Sequence, residues 1–351
     1  MIKQIVLKNF RLFDNLKLET NNSLVILSGL NATGKTSILE AIYLASTTKS
    51  HRINDLEHVI LNDKDFSSLE ITALKKIKMV ISKNGKSLFI NNQEIKKNSD
   101  FIGNINVILS SPYDINLIKG SKGDKRHFLD LEISLLDKSY LKASTAYKKI
   151  LRERNDLLKT TNIDLVLLDV LTKQLISFLE IIYKKRIDFI DKINQILVNI
   201  SKDLDVENIK LEYKPTYEDN IYSSFKAKEK ADLLAKVTNI GTHRDDFIVY
   251  INNLDASIYA SEGQIKTICV ALKLAVCEYM KNIYNIKPIL LLDDVYATLD
   301  KKRIQSLTKY VLNMNQTFIT TNSILEIPDE ILKKSLVIRI DNKKGDSSDG
   351  K

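Results

Sequence analysis

The chain has 351 residues, beyond the roughly 250–300 at which a single hydrophobic core stops growing, so two lobes are expected. At 44% hydrophobic and 28% charged it has a soluble globular composition, and no run of about 18 apolar residues is present to span a membrane. The net charge of +9 is only a weak pointer to a polyanionic partner, because no compact block of like charge stands out.

The opening stretch MIKQIVLKNF alternates as a strand and carries no signal-peptide pattern. Strands are expected at 2–8, 14–19 and 23–28, the last running into a glycine-containing loop. A helix follows from Thr36 to about Ala45, where Ile38, Ala41, Ile42 and Ala45 recur at helical spacing. Segments 68–74, 77–82 and 87–90 read as meander strands with a turn at Asn84-Gly85, and a strand at 105–110 ends at Ser111-Pro112. Between Asp124 and Tyr213 there is neither proline nor glycine, and leucine and isoleucine recur at helical spacing. This predicts a lobe of several helices, nearly balanced in charge with 16 Lys/Arg against 13 Asp/Glu over 121–205. A long coiled-coil arm is the alternative, but about 80 residues leave room only for short helices folding back on each other. Strands near 208–214, 247–252, 288–293, 316–321 and 335–340, with helices near 226–238, 262–281 and 300–313, complete an α/β pattern. Cys269 and Cys277 fall inside an apolar helical pattern and read as buried small hydrophobes, which together with the N-terminus predicts a cytoplasmic protein.

Three motifs carry chemistry. Gly29-Leu30-Asn31-Ala32-Thr33-Gly34-Lys35-Thr36 is a full GxxxxGK[ST] match between a strand and a helix. Its glycines let backbone N–H groups turn inward on phosphates, and the helix N-terminus adds positive potential. With Ser37 beside it, the loop is expected to bind ATP, Lys35 on the β and γ phosphates and Thr36 on Mg²⁺. The apolar strand ending in Asp293-Asp294 fits a Walker B element, with Asp293 on Mg²⁺, usually through water, and Asp294 placed to polarise or position the attacking water. Ser261-Glu262-Gly263-Gln264 opens a helix some 30 residues earlier and resembles the signature of ATP-binding-cassette (ABC) proteins. Ser261 and Gln264 also make a capping box, which is compatible with a phosphate site at the same helix end.

In order and spacing these segments resemble the RecF family of the SMC-like ABC ATPases. The likeness rests on LKNFR at 7–11, GLNATGKTSILEAIY at 29–43, Lys49-Ser50-His51-Arg52, SSPYDINLIKGS at 110–121, Lys125-Arg126-His127-Phe128-Leu129-Asp130, Gly241-Thr242-His243-Arg244-Asp245-Asp246, SEGQIKTICVALKLA and LLLDDVYATLD. The implied fold is an α/β ABC-type P-loop ATPase head with a β-rich N-terminal subdomain and an inserted helical lobe. Its head would cover 1–120 and 206–342, its lobe 121–205, and 343–351 would be a disordered tail. The resemblance implies that Ser261, Gly263 and Gln264 face the P-loop of a second subunit, so that ATP joins two heads. Ala297-Thr298-Leu299-Asp300 would be the D-loop, and Thr320 or Thr321 would take the switch position. It further implies a weak, DNA-stimulated ATPase that binds duplex DNA near single-strand gaps and, with RecR and RecO, assists RecA loading. Ala32 stands where the family has glycine, which costs little only at negative φ, and Thr298 replaces a glutamate.

Some positions admit two readings. Arg11 could touch nucleotide or form a surface salt bridge, and His243-Arg244 could be an ordinary loop pair or lie near nucleotide or DNA. Lys122, Lys125 and Arg126 could bind phosphate backbone or be a solvated turn. A membrane-transporter ATPase is the alternative class, but Lys35 and Ser261 lie 226 positions apart (261 − 35), much wider than such subunits place them. A phage-defence ATPase of the same superfamily is the other.

Overall fold

A computed structural model describes residues 1–341. The expected tail at 343–351 lies outside the described residues. The chain forms two compact units, one of residues 1–115, 199–206 and 261 onward, the other of residues 116–198 and 207–260. The sequence-based lobe at 121–205 thus shares 121–198 with the second unit, which also takes in 207–260.

The first unit is built on a five-stranded parallel sheet in the order Leu336–Arg339, Leu24–Ser28, Gln316–Thr321, Ile289–Leu292, Val107–Ser110. Its three middle strands are buried along their whole length, as expected for parallel strands covered on both faces. In such sheets ligands bind beyond the carboxyl ends of the strands. The register pairs Thr321 with Ser28 and Leu292 with Ile319, so the P-loop, Asp293 and the residues after Thr321 emerge along one edge.

An antiparallel sheet in the same unit runs Phe13–Glu19, Gln4–Phe10, Phe66–Thr72, Lys76–Ser82, Gly85–Ile90, Gln93–Glu94. The expected hairpin is present, but its two loop residues are Lys83 and Asn84, and Gly85, at φ 126°, begins the return strand opposite Ser82. Gln316 ties the two sheets together. Its buried amide accepts from the Ile2 N–H at 2.6 Å and donates to the carbonyls of Ile2, Thr20 and Asn22.

The second unit contains the helices Lys122–Leu136, Lys138–Leu158 and Ile221–Ala235 and a three-stranded antiparallel sheet of Ile209–Lys214, Asp246–Ile251 and Leu254–Asp255. The expectation of only short helices is corrected here. Leu165–Asp203 is one helix of 39 residues, about 58 Å long at 1.5 Å per residue. Nothing in its sequence breaks it, and a buried row through Leu168, Leu175, Leu179, Ile182, Phe189, Ile193, Leu197 and Ile200 keeps it amphipathic to its last turn. Its final residues, from Asn199, belong to the first unit, where the Tyr310 hydroxyl donates to Asp203 at 2.5 Å.

Candidate nucleotide site

The P-loop leaves the sheet at Ser28 and enters the helix Lys35–Thr47. Gly34 has φ 102°, and a Cβ there would stand 2.4 Å from the Phe13 ring, so glycine is required twice over. At Gly29 a Cβ would lie 2.3 Å from the Ile340 carbonyl oxygen. Ala32 has φ 64°, which is the left-handed region, so the substitution is not the low-cost case of a negative φ. It carries a backbone cost of about 1–2 kcal/mol that glycine would avoid.

Lys35 is 5% exposed, and its ammonium donates to the carbonyls of Gly29 and Leu30, both at 2.8 Å, and to Oδ1 of Asn322 at 3.0 Å. Burial lowers its pKa, opposed by the charges of Asp294 and Asp293. The Thr36 hydroxyl donates to Asp293 Oδ1 at 2.9 Å. The Thr320 hydroxyl lies 2.9 Å from the same oxygen and 3.2 Å from Asp294 Oδ1, and accepts the Asp294 N–H at 2.9 Å. One hydroxyl proton therefore serves two carboxylates. Asp294 is held at φ 52°, an unusual backbone for a non-glycine residue. Burial, with the neighbouring Asp294 charge, raises the Asp293 pKa against the hydrogen bonds of Thr320 and Thr36.

An oxygen-only pair of hydroxyl and buried carboxylate suits Mg²⁺, which binds few protein groups and completes its shell with water and phosphate. The carboxylate pair also supplies the negative charge that a divalent cation would neutralise.

At the expected switch position, three consecutive residues have separate partners. Thr320 serves the carboxylates, and the Thr321 hydroxyl lies 2.8 Å from both the Ser323 carbonyl and Glu326, closing its own loop. Asn322, one position beyond the two residues named from sequence, is the one bonded to Lys35.

Sequence reading also missed Glu40. Its carboxylate is fully buried and receives Nε and Nη2 of Arg11 at 2.8 and 2.6 Å, the Ser50 hydroxyl at 2.5 Å and Arg52 at 3.4 Å. Arg11 is thus a bidentate partner of a buried acid and not a surface ion pair. An acid on the otherwise buried P-loop helix was the available signal. Two arginines from separate loops converge on it, and the Arg52 charge reaches Asp293. Beside them His51 packs edge-on against Tyr43 and Tyr113, and burial pushes its pKa down to about 4.

Ser261 caps the helix Glu262–Tyr284, its hydroxyl accepting the Gln264 N–H at 3.3 Å while Gln264 Oε1 accepts the Ser261 N–H at 2.8 Å. The capping box read from sequence is therefore present. Ser261, Glu262 and Gly263 are exposed, and a Cβ on Gly263 would meet nothing within 4 Å. Further along this helix Lys273 pairs with Asp114 at 3.7 Å, and the buried Cys269 thiol bonds the Asp114 carbonyl. Both cysteines are buried thiols, as expected.

A P-loop and an acidic strand end on one parallel sheet, with an antiparallel sheet in the same unit and a capped helix at Glu262–Tyr284 preceding the acidic strand, are the parts of an SMC-like ABC-type ATPase head. Residues 1–333 match the RecF/RecN/SMC N terminal domain. The chain is 40% identical to the DNA replication and repair protein RecF of Acholeplasma laidlawii (strain PG-8A), over 92% of this chain and 93% of the relative. It is also 40% identical to RecF of Clostridium botulinum (strain Loch Maree / Type A3), over 95% of each. A solved structure of "the recombination mediator protein RecF-ATPrS in RecFOR pathway" superposes with a TM-score of 0.87 at 28% identity, covering 97% of this chain and 96% of that one. The Smc head domain of Pyrococcus furiosus, at 13% identity and a TM-score of 0.53, shares the fold. The chain belongs to the RecF family.

Proposed function

We propose that this protein is an ATP-switched recombination mediator, in which ATP joins two heads and the joined heads grip duplex DNA near single-strand gaps. The observation that carries this reading is the division of the site. Lys35, Thr36, Asp293, Asp294 and Thr320 converge at one sheet edge, while Ser261 and Gly263 form a helix N-terminus open to solvent. A second copy would place its Ser261, Gly263 and Gln264 over the γ-phosphate, completing with backbone N–H groups what the first head begins. Lys35 would hold the β and γ phosphates and the rest of the loop, Gly29 to Ser37, would wrap them. Thr36 and Asp293 would hold Mg²⁺, whose charge draws electrons from the γ-phosphate. Asp294 then orients the attacking water, and slow hydrolysis releases the grip.

The solved relatives are named as the recombination mediator RecF with ATP in the RecFOR pathway, which supports the mediator reading. A role alongside RecO and RecR in loading RecA is part of the proposal. DNA stimulation of the ATPase follows if DNA favours the joined state. Duplex binding measured with and without ATP tests the reading. Wild type should bind in an ATP-dependent and salt-sensitive manner, and Lys35→Met should not. Ser261→Arg should bind ATP yet remain monomeric by light scattering. Dimerisation of that variant at the wild-type level would sink the shared-site arrangement.

A further inference from the structure

The second unit holds an open cavity of about 230 Å³ that brings together two motifs far apart in sequence. Gly123, Arg126, His127 and Asp130 come from the helix Lys122–Leu136, and Thr242 and His243 from the loop before the strand Asp246–Ile251. Tyr147 and Lys148 close the third side.

The loop is held with unusual care. Thr238 is fixed by buried Arg154 at 2.6 Å and by Asn155 at 2.8 Å, Gly241 by the Thr216 hydroxyl at 2.9 Å, and the Thr242 carbonyl by buried Arg186 at 3.0 Å. The Tyr147 hydroxyl lies 2.8 Å from His243 Nδ1, and His243 Nε2 lies 2.9 Å from the Thr238 carbonyl. The carbonyl can only accept, so Nε2 carries a proton, and burial pushes the His243 pKa down to about 4, which leaves Nδ1 to accept from Tyr147. Gly241, at φ 123°, cannot be replaced, because a Cβ there would stand 2.4 Å from the Tyr147 oxygen. Within this clamped loop Arg244 is exposed. A rigid loop that presents polar groups beside a cavity is how scaffolds build binding sites.

The charges around the cavity favour an anion. Arg126 donates to the neutral carbonyl of Asp245 at 2.8 Å, so this bond leaves its charge uncancelled. Burial and the Arg186 charge both work against the Arg126 cation, and Asp246, Asp245 and Asp130 oppose them. Lys148 shares Asp130 with Arg186, two cations on one carboxylate. Lys122 and Lys125 share Asp246 in the same way, at 3.8 and 3.6 Å. The Asp245 carboxylate accepts from the hydroxyls of Tyr213 and Tyr217.

The geometry points to this cavity as the seat of a backbone phosphate of duplex DNA, contacted by Arg126 and Lys148 and walled by His243. It rests on the DNA-binding reading above and gives that reading an address in the second unit. Phosphate-directed groups of this type set register on a duplex without reading its sequence.

Fluorescence anisotropy of the full chain with ATP and a labelled duplex oligonucleotide, over a salt series, tests it. The double variant Arg126→Gln/Lys148→Met should bind about 10-fold more weakly, with a log K against log salt slope shallower by roughly 0.9 for each phosphate no longer neutralised. Asp246→Asn, which releases Lys122 and Lys125, should bind more tightly than wild type. A merely structural role would not give opposite signs. Arg126→Lys, which keeps the charge, should keep the wild-type slope even if the double variant folds poorly. If wild type binds duplex and the double variant or Asp246→Asn leaves affinity and slope unchanged, this site is refuted and the DNA-binding reading stands. If wild type binds no duplex with ATP, the reading itself fails.

Discussion

The Lys35 ammonium donates to Oδ1 of Asn322 at 3.0 Å, and with the carbonyls of Gly29 and Leu30 this occupies all three of its protons. An incoming phosphate must displace one of these acceptors. The two carbonyls belong to the P-loop backbone, so the side chain of Asn322 is the one that can yield. Asn322→Ala should leave ATP affinity unchanged or raise it a few-fold. Asn322→Asp sets a further negative charge against Lys35 and the phosphates, and should weaken ATP by roughly 10-fold or more, about 1.4 kcal/mol. Titration with a fluorescent ATP analogue checks both, and equal losses in the two variants would contradict the displacement argument.

Thr320 holds Asp293 and Asp294 with one hydroxyl and also accepts the Asp294 N–H, so it sets the geometry of both carboxylates. In Thr320→Val the shape is kept while the Asp294 N–H and the carboxylates lose a partner. The cost is about 1–3 kcal/mol of stability. Hydrolysis should fall at least 10-fold, whereas the ATP dissociation constant should change by less than about 3-fold, because Lys35, proposed to hold the phosphates, is untouched. Single-turnover hydrolysis and equilibrium binding separate the two effects.

What sequence made legible was the part in which residue type dictates position. The P-loop glycines, the apolar strand ending at Asp293 and the Ser261–Gln264 box announce themselves because each performs one local task. Asn322, Glu40 and the meeting of Arg126 with His243 in one cavity were hidden for the opposite reason. Asn322 and Lys35 are 287 positions apart and Arg126 and Asp245 are 119 apart, and no local period records such a pairing. The long helix was missed because an unbroken apolar period predicts helix but not where it turns.

His51 is half-buried beside two aromatic rings, and desolvation pushes its pKa down to about 4, below its ordinary 6.5. Neither ring nitrogen bonds a protein group among the described residues, and Glu40, Arg52, Arg11 and Lys273 are the charges that act on it. Between pH 6.5 and about 4 the unfolded chain binds the proton and the folded chain does not, so stability falls as pH drops through that window and levels off below it. The full effect is up to roughly 3 kcal/mol. His51→Phe removes the titrating group and keeps an aromatic ring. Urea midpoints should therefore fall less steeply with acid for the variant than for wild type, and identical pH slopes would remove His51 from the account.

Ala32 offers a test in the stabilising direction. At φ 64° its methyl group crowds the backbone, a strain of about 1–2 kcal/mol that glycine does not carry. Glycine also gains conformational freedom in the unfolded chain, which returns part of that benefit. The net gain for Ala32→Gly should be about 0.5–1 kcal/mol, visible as a higher urea midpoint with an unchanged slope. Ala32 contributes no side-chain hydrogen bond, so ATP affinity should stay within about 2-fold, a change of roughly 0.4 kcal/mol. Ala32→Val should do the reverse, since a branched side chain tolerates positive φ worse than alanine. A variant order other than glycine above alanine above valine would show that the loop relieves its strain by shifting its backbone.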